Sequence, residues 1–277
     1  MAPSSKHLLS RFRVLDLTRA VAGPTCTRMF AELGAEVIKV ESAPDGDMTR
    51  SISKLRNERS LFYIQHNLNK KSVCIDFRKP GGLDLIRELV PHCDVVVENY
   101  KPGVIANMGM SFDDLKRMRK DIILCSISAL GQTGPLSGKP GYDYIGQAYS
   151  GITSMIGAKG EAPYIPLVAM GDVSTGVTAA FAITAALLDR AETGEGQHLD
   201  IGLLDCYYHY HELNVHRYSG SNGALNPTRE GRHLSYICPA GVYQATGGSI
   251  VLIAFMQHWA DLCAAMERPD LIDDACF

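Results

Sequence analysis

The segments RVLDLT (13–18), TCTRMFAELGA (25–35) and EVIKVE (36–41) follow one another with almost nothing between them. The first and third are short, apolar and rich in β-branched residues, as strands are. The middle one has the spacing of a helix that Pro24 can begin and Gly34 can end. Two strands joined through a helix lie parallel, with a right-handed crossover. The pattern repeats. SVCIDF (72–77), DVVVENY (94–100) and DIILCSISAL (121–130) read as strands, and GGLDLIRELVPHC (81–93) and SFDDLKRMRK (111–120) read as helices. Ser111 is the expected N-cap of the latter, with Asp114 three residues on. The expected fold class is α/β: an open, parallel, Rossmann-like sheet with flanking helices.

The second half changes character. Residues 131–151 are rich in Gly and Pro and read as a long ordered loop leading into a helix. The run at 177–188 reads as a buried helix, and QHLDIGLLDCYYHYHELNVHRYS (197–219) as a strand that becomes a helix. The polar, turn-rich residues 219–233 are the best linker. AGVYQATGGSIVLIAF reads as a hairpin with a Gly-Gly turn, followed by a helix stopped before Pro269. The expected organisation is a large α/β domain over 1–218, a linker at 219–233, and the beginning of a smaller α+β domain over 234–277.

Composition narrows the partners. Apolar residues make up 46% of the 277, enough for a sizeable core, and the formal charge is only −3. Neither nucleic acid nor a membrane surface is expected as the main partner, and any anionic ligand must be held by a local cluster. The eight cysteines are scattered singly, without a C-x-x-C pair, as suits thiols of a reducing compartment. The N-terminus lacks the apolar core of a secretory signal, and no uninterrupted apolar run reaches the length of about 18 residues that a membrane span needs. A cytoplasmic location is the expectation. His209 and His211 stand two apart and so diverge on a helix, which disfavours a metal site there with His216. The first strand is followed by AGP rather than G-x-G-x-x-G, and there is no P-loop.

Two places carry possible chemistry. Lys70, Lys71, Arg78 and Lys79 sit at strand edges beside a Gly-rich helix start, an arrangement that suits phosphate. Farther on, Asp172 follows Gly171 at the head of the long apolar helix. Locally, it reads either as a helix N-cap or as a carboxylate nucleophile. In the second reading, Gly171 admits a substrate and the following STG (174–176) offers N–H donors to a developing oxyanion.

Several segments taken in order resemble the class III CoA-transferase family: VLDLTRAVAGPTCTRMFAELGAEVIKVE, GDMTR, NLNKKSVCIDFRKPGG, DVVVENYKPG, SISALGQTGPLSGKPGYDYIGQAYSG, MGDVSTG and GRHLSYICPAGVY. The resemblance implies that Asp172 attacks an acyl-CoA thioester, forms an aspartyl mixed anhydride, and passes CoA to a second carboxylic acid. It implies CoA contacts at Val21, Ala22, Ile75, Asp76, Phe77, Arg78, Asn99, Tyr100, Lys101, Lys139 and Tyr142. No permanently bound cofactor and no metal is implied; coenzyme A and its acyl thioesters are substrates. The expected partners are an acyl-CoA and a small carboxylic acid, and the full-length family form is an interlocked homodimer.

The chain also departs from the family. Ser42 and Asn107 stand where some relatives carry CoA-binding arginines, and Arg78, Lys71 or Lys139 would then compensate. Val21 replaces a glutamine of the formyl-CoA transferases, which argues against a formate/oxalate pair. Family members are longer, so the chain resembles one without its C-terminal third. The alternatives are a 2-methylacyl-CoA racemase of the same fold and a catalytically silent CoA-binding fragment. The racemase uses a His where this chain has Tyr142.

Overall fold

The computed structural model describes residues 7–276. Two compact units emerge. The first runs to Ser150 and resumes over Leu167–Glu212; the second comprises Gly151–Pro166 and the chain from Leu213 onward.

The first unit is a three-layer α/β sandwich. Its main sheet has six strands: β1 (Arg13–Asp16), β2 (Glu36–Ser42), β3 (Lys71–Ile75), β4 (Val95–Glu98), β5 (Ile123–Ser128) and β6 (His198–Gly202). All pair in parallel, in the order β3-β2-β1-β4-β5-β6. This is the strand order of doubly wound, Rossmann-type sheets, and the chain reverses direction across the sheet between β1 and β4. Every residue of β4 and β5 is buried, as expected where helices cover both faces of a sheet.

The strand period of two divides the apolar residues between the faces. Val14, Val95, Val97, Ile123 and Cys125 enter one core with Cys26 and Phe30 of α1 (Ala22–Glu32) and Ala179, Ile183 and Leu187 of the long helix at Met170–Thr193. Leu15, Val96 and Leu124 enter the other core with Ile86 of α2 (Gly82–Leu89) and Leu115 of α3 (Phe112–Met118). The Ser111–Asp114 capping box of α3 is formed as expected. Helix α1 starts earlier than its proline suggests. Val21 is the N-cap and Pro24 lies inside the first turn, where its missing N–H costs no helical hydrogen bond.

Two more helices complete this unit's functional end: α4 (Asp143–Tyr149) and, after the long helix α5 (Met170–Thr193), α6 (Leu203–His209). The α5 run at 177–188, expected to be buried, is buried on one face only. Ala179, Ile183 and Leu187 are covered, whereas Val177, Phe181 and Leu188 are 46%, 74% and 65% exposed. Small residues explain the covered face. A Cβ on Gly176 would lie 2.6 Å from the carbonyl oxygen of Ala22, so α1 and α5 approach there at a distance only glycine allows. In length and composition α5 would also suit a membrane span, but its small-residue face is packed inside this unit.

Buried charge braces the turn after β1. Asp16 is fully buried and accepts from Thr18, Thr27 and the Lys70 ammonium at 3.0 Å. The Lys39 ammonium, also fully buried, donates to the Thr18 carbonyl at 2.7 Å and pairs with Asp47 at 3.0 Å. Burial works against the Asp16 charge, but Lys70 and Lys39 outweigh it and hold the carboxyl well below the usual carboxylate range. Lys70, read from the sequence as a phosphate ligand, is therefore a buried structural cation, 1% exposed at its side chain.

In the second unit, Ala240–Ala245 and Gly248–Ile253 form the expected antiparallel hairpin. The two-residue turn is Thr246-Gly247 rather than Gly-Gly, with Gly247 at φ +84°. Residues 219–233 belong to this unit. Within them, Arg229 donates to the carbonyls of Ser154 at 2.6 Å and Ala158 at 2.9 Å, and also to that of Glu161.

Candidate active site

Sheets of this order form a crevice at the C-terminal strand ends where the winding reverses. Here it is a cavity of about 410 Å³. The β1–α1 turn contributes Arg19 to Ala22, the end of β4 contributes Asn99 to Pro102, and the end of β5 contributes Ile127 to Leu130. The Gly/Pro-rich loop adds Ser137 and Lys139 to Tyr142, and α5 adds Asp172.

Of the residues the family resemblance implies, Val21, Ala22, Asn99, Tyr100, Lys101, Lys139, Tyr142 and Asp172 all line this one cavity. Ile75, Asp76, Phe77 and Arg78 do not. They lie at the end of edge strand β3, where the Arg78 guanidinium bonds Asp76 at 2.9 Å and its side chain is 74% exposed. Lys71 is likewise exposed and pairs with Glu36. Sequence reasoning missed Arg19, Met48 and Leu203 as cavity residues. Arg19 had a signal: it sits in the turn after the first strand, where such sheets bind ligands. Met48 and Leu203 are brought in by packing alone.

Asn99 faces the protein with both amide atoms. Its Oδ1 accepts from the Arg19 N–H at 2.9 Å and its Nδ2 donates to the Arg19 carbonyl at 2.8 Å. It clamps the β1–α1 turn to the end of β4, next to Ala20 in the left-handed region at φ 64°. The neighbouring Tyr100 ring lies under the Arg19 guanidinium, 5.8 Å from its centroid, and burial lifts its phenol to about 12. Beneath it Glu98 is almost fully buried; it accepts from the Tyr100 N–H at 2.7 Å and is pushed up to about 7 by burial.

Asp172 is not a cap. The N-cap of α5 is Ala169, which supplies no side-chain hydrogen bond, and Asp172 is the third residue of the helix. Its own N–H donates across the fold to Asp143 Oδ2 at 3.1 Å. Its carboxylate is pushed up to about 7, first by burial and then by the nearby charge of Asp143. The sequence expectation of an oxyanion site on STG fails for a geometric reason. Residues 174–176 lie past the first turn of α5, so their N–H groups are used inside the helix.

The arrangement is thus a Rossmann-type crevice holding a half-buried carboxylate close to neutral titration, ringed by Arg19, Lys101 and Lys139. It defines an α/β protein whose crevice at the strand ends brings one carboxylate together with three basic side chains. The chain belongs to CoA-transferase family III, whose sequence profile it matches over residues 9–277. It is 39% identical over 271 residues to a mouse succinyl-CoA:glutarate CoA-transferase, covering 96% of this chain and 61% of that protein. It is 37% identical over 276 residues to a Haloarcula hispanica succinyl-CoA:mesaconate CoA-transferase, covering 96% of this chain and 69% of that one. A CaiB/BaiF family protein from Brucella suis has the same fold, with a TM-score of 0.87 at 33% identity, over 99% of this chain and 73% of that structure. The chain therefore spans about three fifths of the mouse protein.

Proposed function

We propose that this chain carries the catalytic crevice of a CoA-transferase that moves CoA from an acyl-CoA donor to a carboxylic acid, with Asp172 as the covalent nucleophile. An Asp172 oxygen attacks the thioester carbonyl, the carbon–sulfur bond breaks, and CoA leaves as thiolate. The acceptor carboxylate then attacks the resulting mixed anhydride and releases the donor acid. The thiolate attacks the new anhydride, gives the acceptor thioester and restores Asp172. No external base is needed, because a carboxylate is already a nucleophile when ionised. Burial strips water from it and raises its basicity, and both changes make it more reactive. Arg19, Lys101 and Lys139 offer positive charge to the phosphates of CoA from the rim of the same cavity.

The observation that carries this reading is Asp172 itself: a carboxylate in the crevice, at the third position of α5, with no capping duty. The names of the similar proteins point to dicarboxylic acids, with succinyl-CoA as donor and glutarate or mesaconate as acceptor.

The test is Asp172→Ala with acyl-CoA and acceptor acids, followed by mass spectrometry. Transfer is expected to vanish while the circular-dichroism spectrum is kept. Hydroxylamine added during turnover is expected to modify Asp172 in the wild type. A variant keeping more than a small fraction of activity overturns the assignment. Deuterium uptake at the α-carbon of a 2-methylacyl-CoA, without any acceptor, would establish the racemase instead.

A further inference from the structure

The first turn of α5 leaves N–H groups that no local side chain satisfies. Two other helices supply the partners. Asp143, the first residue of α4, accepts the Asp172 N–H on Oδ2. Its Oδ1 accepts the phenol of Tyr207 from α6. The Tyr207 oxygen in turn accepts from the Gly171 N–H and, at 3.4 Å, from Gln147 Nε2. Asp143 is only 7% exposed, and Tyr207 and Gln147 are fully buried. Both Asp143 oxygens accept hydrogen bonds, the pattern of an ionised carboxylate. The positive end of α5 favours that charge. The Tyr207 ring packs directly against Gly171, where a Cβ would come within 2.0 Å of it.

We propose that Asp143 is a positioning residue: held by Tyr207, it caps α5 from outside, fixes the direction of Asp172, and drives acyl transfer through its negative charge beside the nucleophile. The inference rests on the CoA-transferase reading for its chemical consequence. When Asp172 is acylated its charge leaves with the thiolate toward the basic rim, so the repulsion between the two carboxylates is relieved in the forward step. Repulsion thereby raises the energy of the free carboxylate and leaves the neutral anhydride untouched.

The groups around Asp172 are few. Asp143 and Tyr142 come from α4 and its N-cap, and Tyr207 comes from α6. Arg19, Tyr100, Lys101 and Lys139 face the shared cavity. From α1, the neighbours of this end of α5 are the uncharged Ala22 and Thr25. Asp143 is the one negative charge that raises Asp172.

The experiment compares wild type, Asp143→Asn and Tyr207→Phe. In Asp143→Asn, the carbon-13 carboxyl titration of Asp172 is expected to move to lower pH. The acid limb of kcat/KM is expected to move with it, and kcat above that limb to fall about tenfold or more while KM for acyl-CoA holds. A folded Asp143→Asn protein with an unmoved Asp172 titration overturns the proposal, because a purely structural cap would leave that titration where it was. Tyr207→Phe keeps the ring on Gly171 and removes the hydroxyl, which is both the donor to Asp143 and the acceptor of the Gly171 and Gln147 N–H groups. It is expected to lower kcat without raising KM, and an unchanged kcat overturns the proposal even if Asp143→Asn does not fold. The titration needs no turnover. A wild type that transfers no CoA, yet whose Asp172 midpoint falls in Asp143→Asn, would refute the reaction and still support the positioning role of Asp143.

Discussion

Gly171→Ala isolates the packing that holds the nucleophile. The added Cβ would stand 2.0, 2.6 and 2.8 Å from Cε2, Cζ and Cδ2 of Tyr207. Carbon atoms settle at about 3.5–4.0 Å, so the ring must retreat by roughly 1.5 Å. Tyr207 is fully buried, so a retreat displaces the side chains packed around it. Over-packing of this kind costs about 1–3 kcal/mol. The retreat also breaks the Tyr207–Asp143 hydrogen bond, worth about 1.5–3 kcal/mol when the acceptor is charged. Alanine in place of glycine inside a helix returns about 0.5–1 kcal/mol. The net expectation is a loss of about 2–5 kcal/mol, or roughly 10 °C in melting temperature for a unit of this size. Calorimetric melts of Gly171→Ala beside Thr178→Ala, an exposed position on the same helix, measure it. The control is expected to stay within about 0.5 kcal/mol of wild type. A Gly171→Ala protein that melts with the wild type refutes the idea of Tyr207 as a ring pressed onto α5.

Two further outcomes are expected. Asp172 is pushed up to about 7 in the fold from an ordinary 3.8, so the folded chain holds its proton longer and stability falls as pH rises from about 4 to 7; Asp172→Asn removes that loss, matches wild type below pH 4 in urea melts, and gains up to about 4 kcal/mol above pH 7, and a difference that does not grow with pH would contradict the raised carboxylate. Lys70→Met leaves Asp16 buried with only Thr18 and Thr27 beside Lys39, at a cost of about 3–5 kcal/mol. The stabilisation from the depressed Asp16 is present above the ordinary carboxylate range and is lost as pH falls through its folded value, so the variant's acid unfolding is expected at higher pH than wild type; an unmoved midpoint would show that Lys70 is dispensable to Asp16.

Local patterns were legible in the sequence because local physics produces them. Alternating apolar runs and helix-length segments announced the strand–helix–strand units, and Ser111 with Asp114 announced a capping box that needs only its own four residues. The ordered family motifs pointed to Asp172 and to seven other residues of the cavity wall. What a linear reading could not decide was everything that depends on strand order. The order β3-β2-β1-β4-β5-β6 sets the ends of β1, β4 and β5 beside one another, and so joins Arg19, Asn99 and Ser128, far apart along the chain, into one crevice, while leaving Arg78 at the edge strand. Whether a charged side chain meets solvent or a partner is equally a tertiary matter. Lys70 and Lys71 are adjacent in sequence, yet the first, just before β3, has its ammonium buried against Asp16, and the second, opening the strand, is exposed beside Glu36. The N-cap question at Asp172 was undecidable locally for the same reason: the cap of α5 comes from Asp143, 29 residues before Asp172, and from Tyr207 on a later helix, and only the packing of three helices brings them to it.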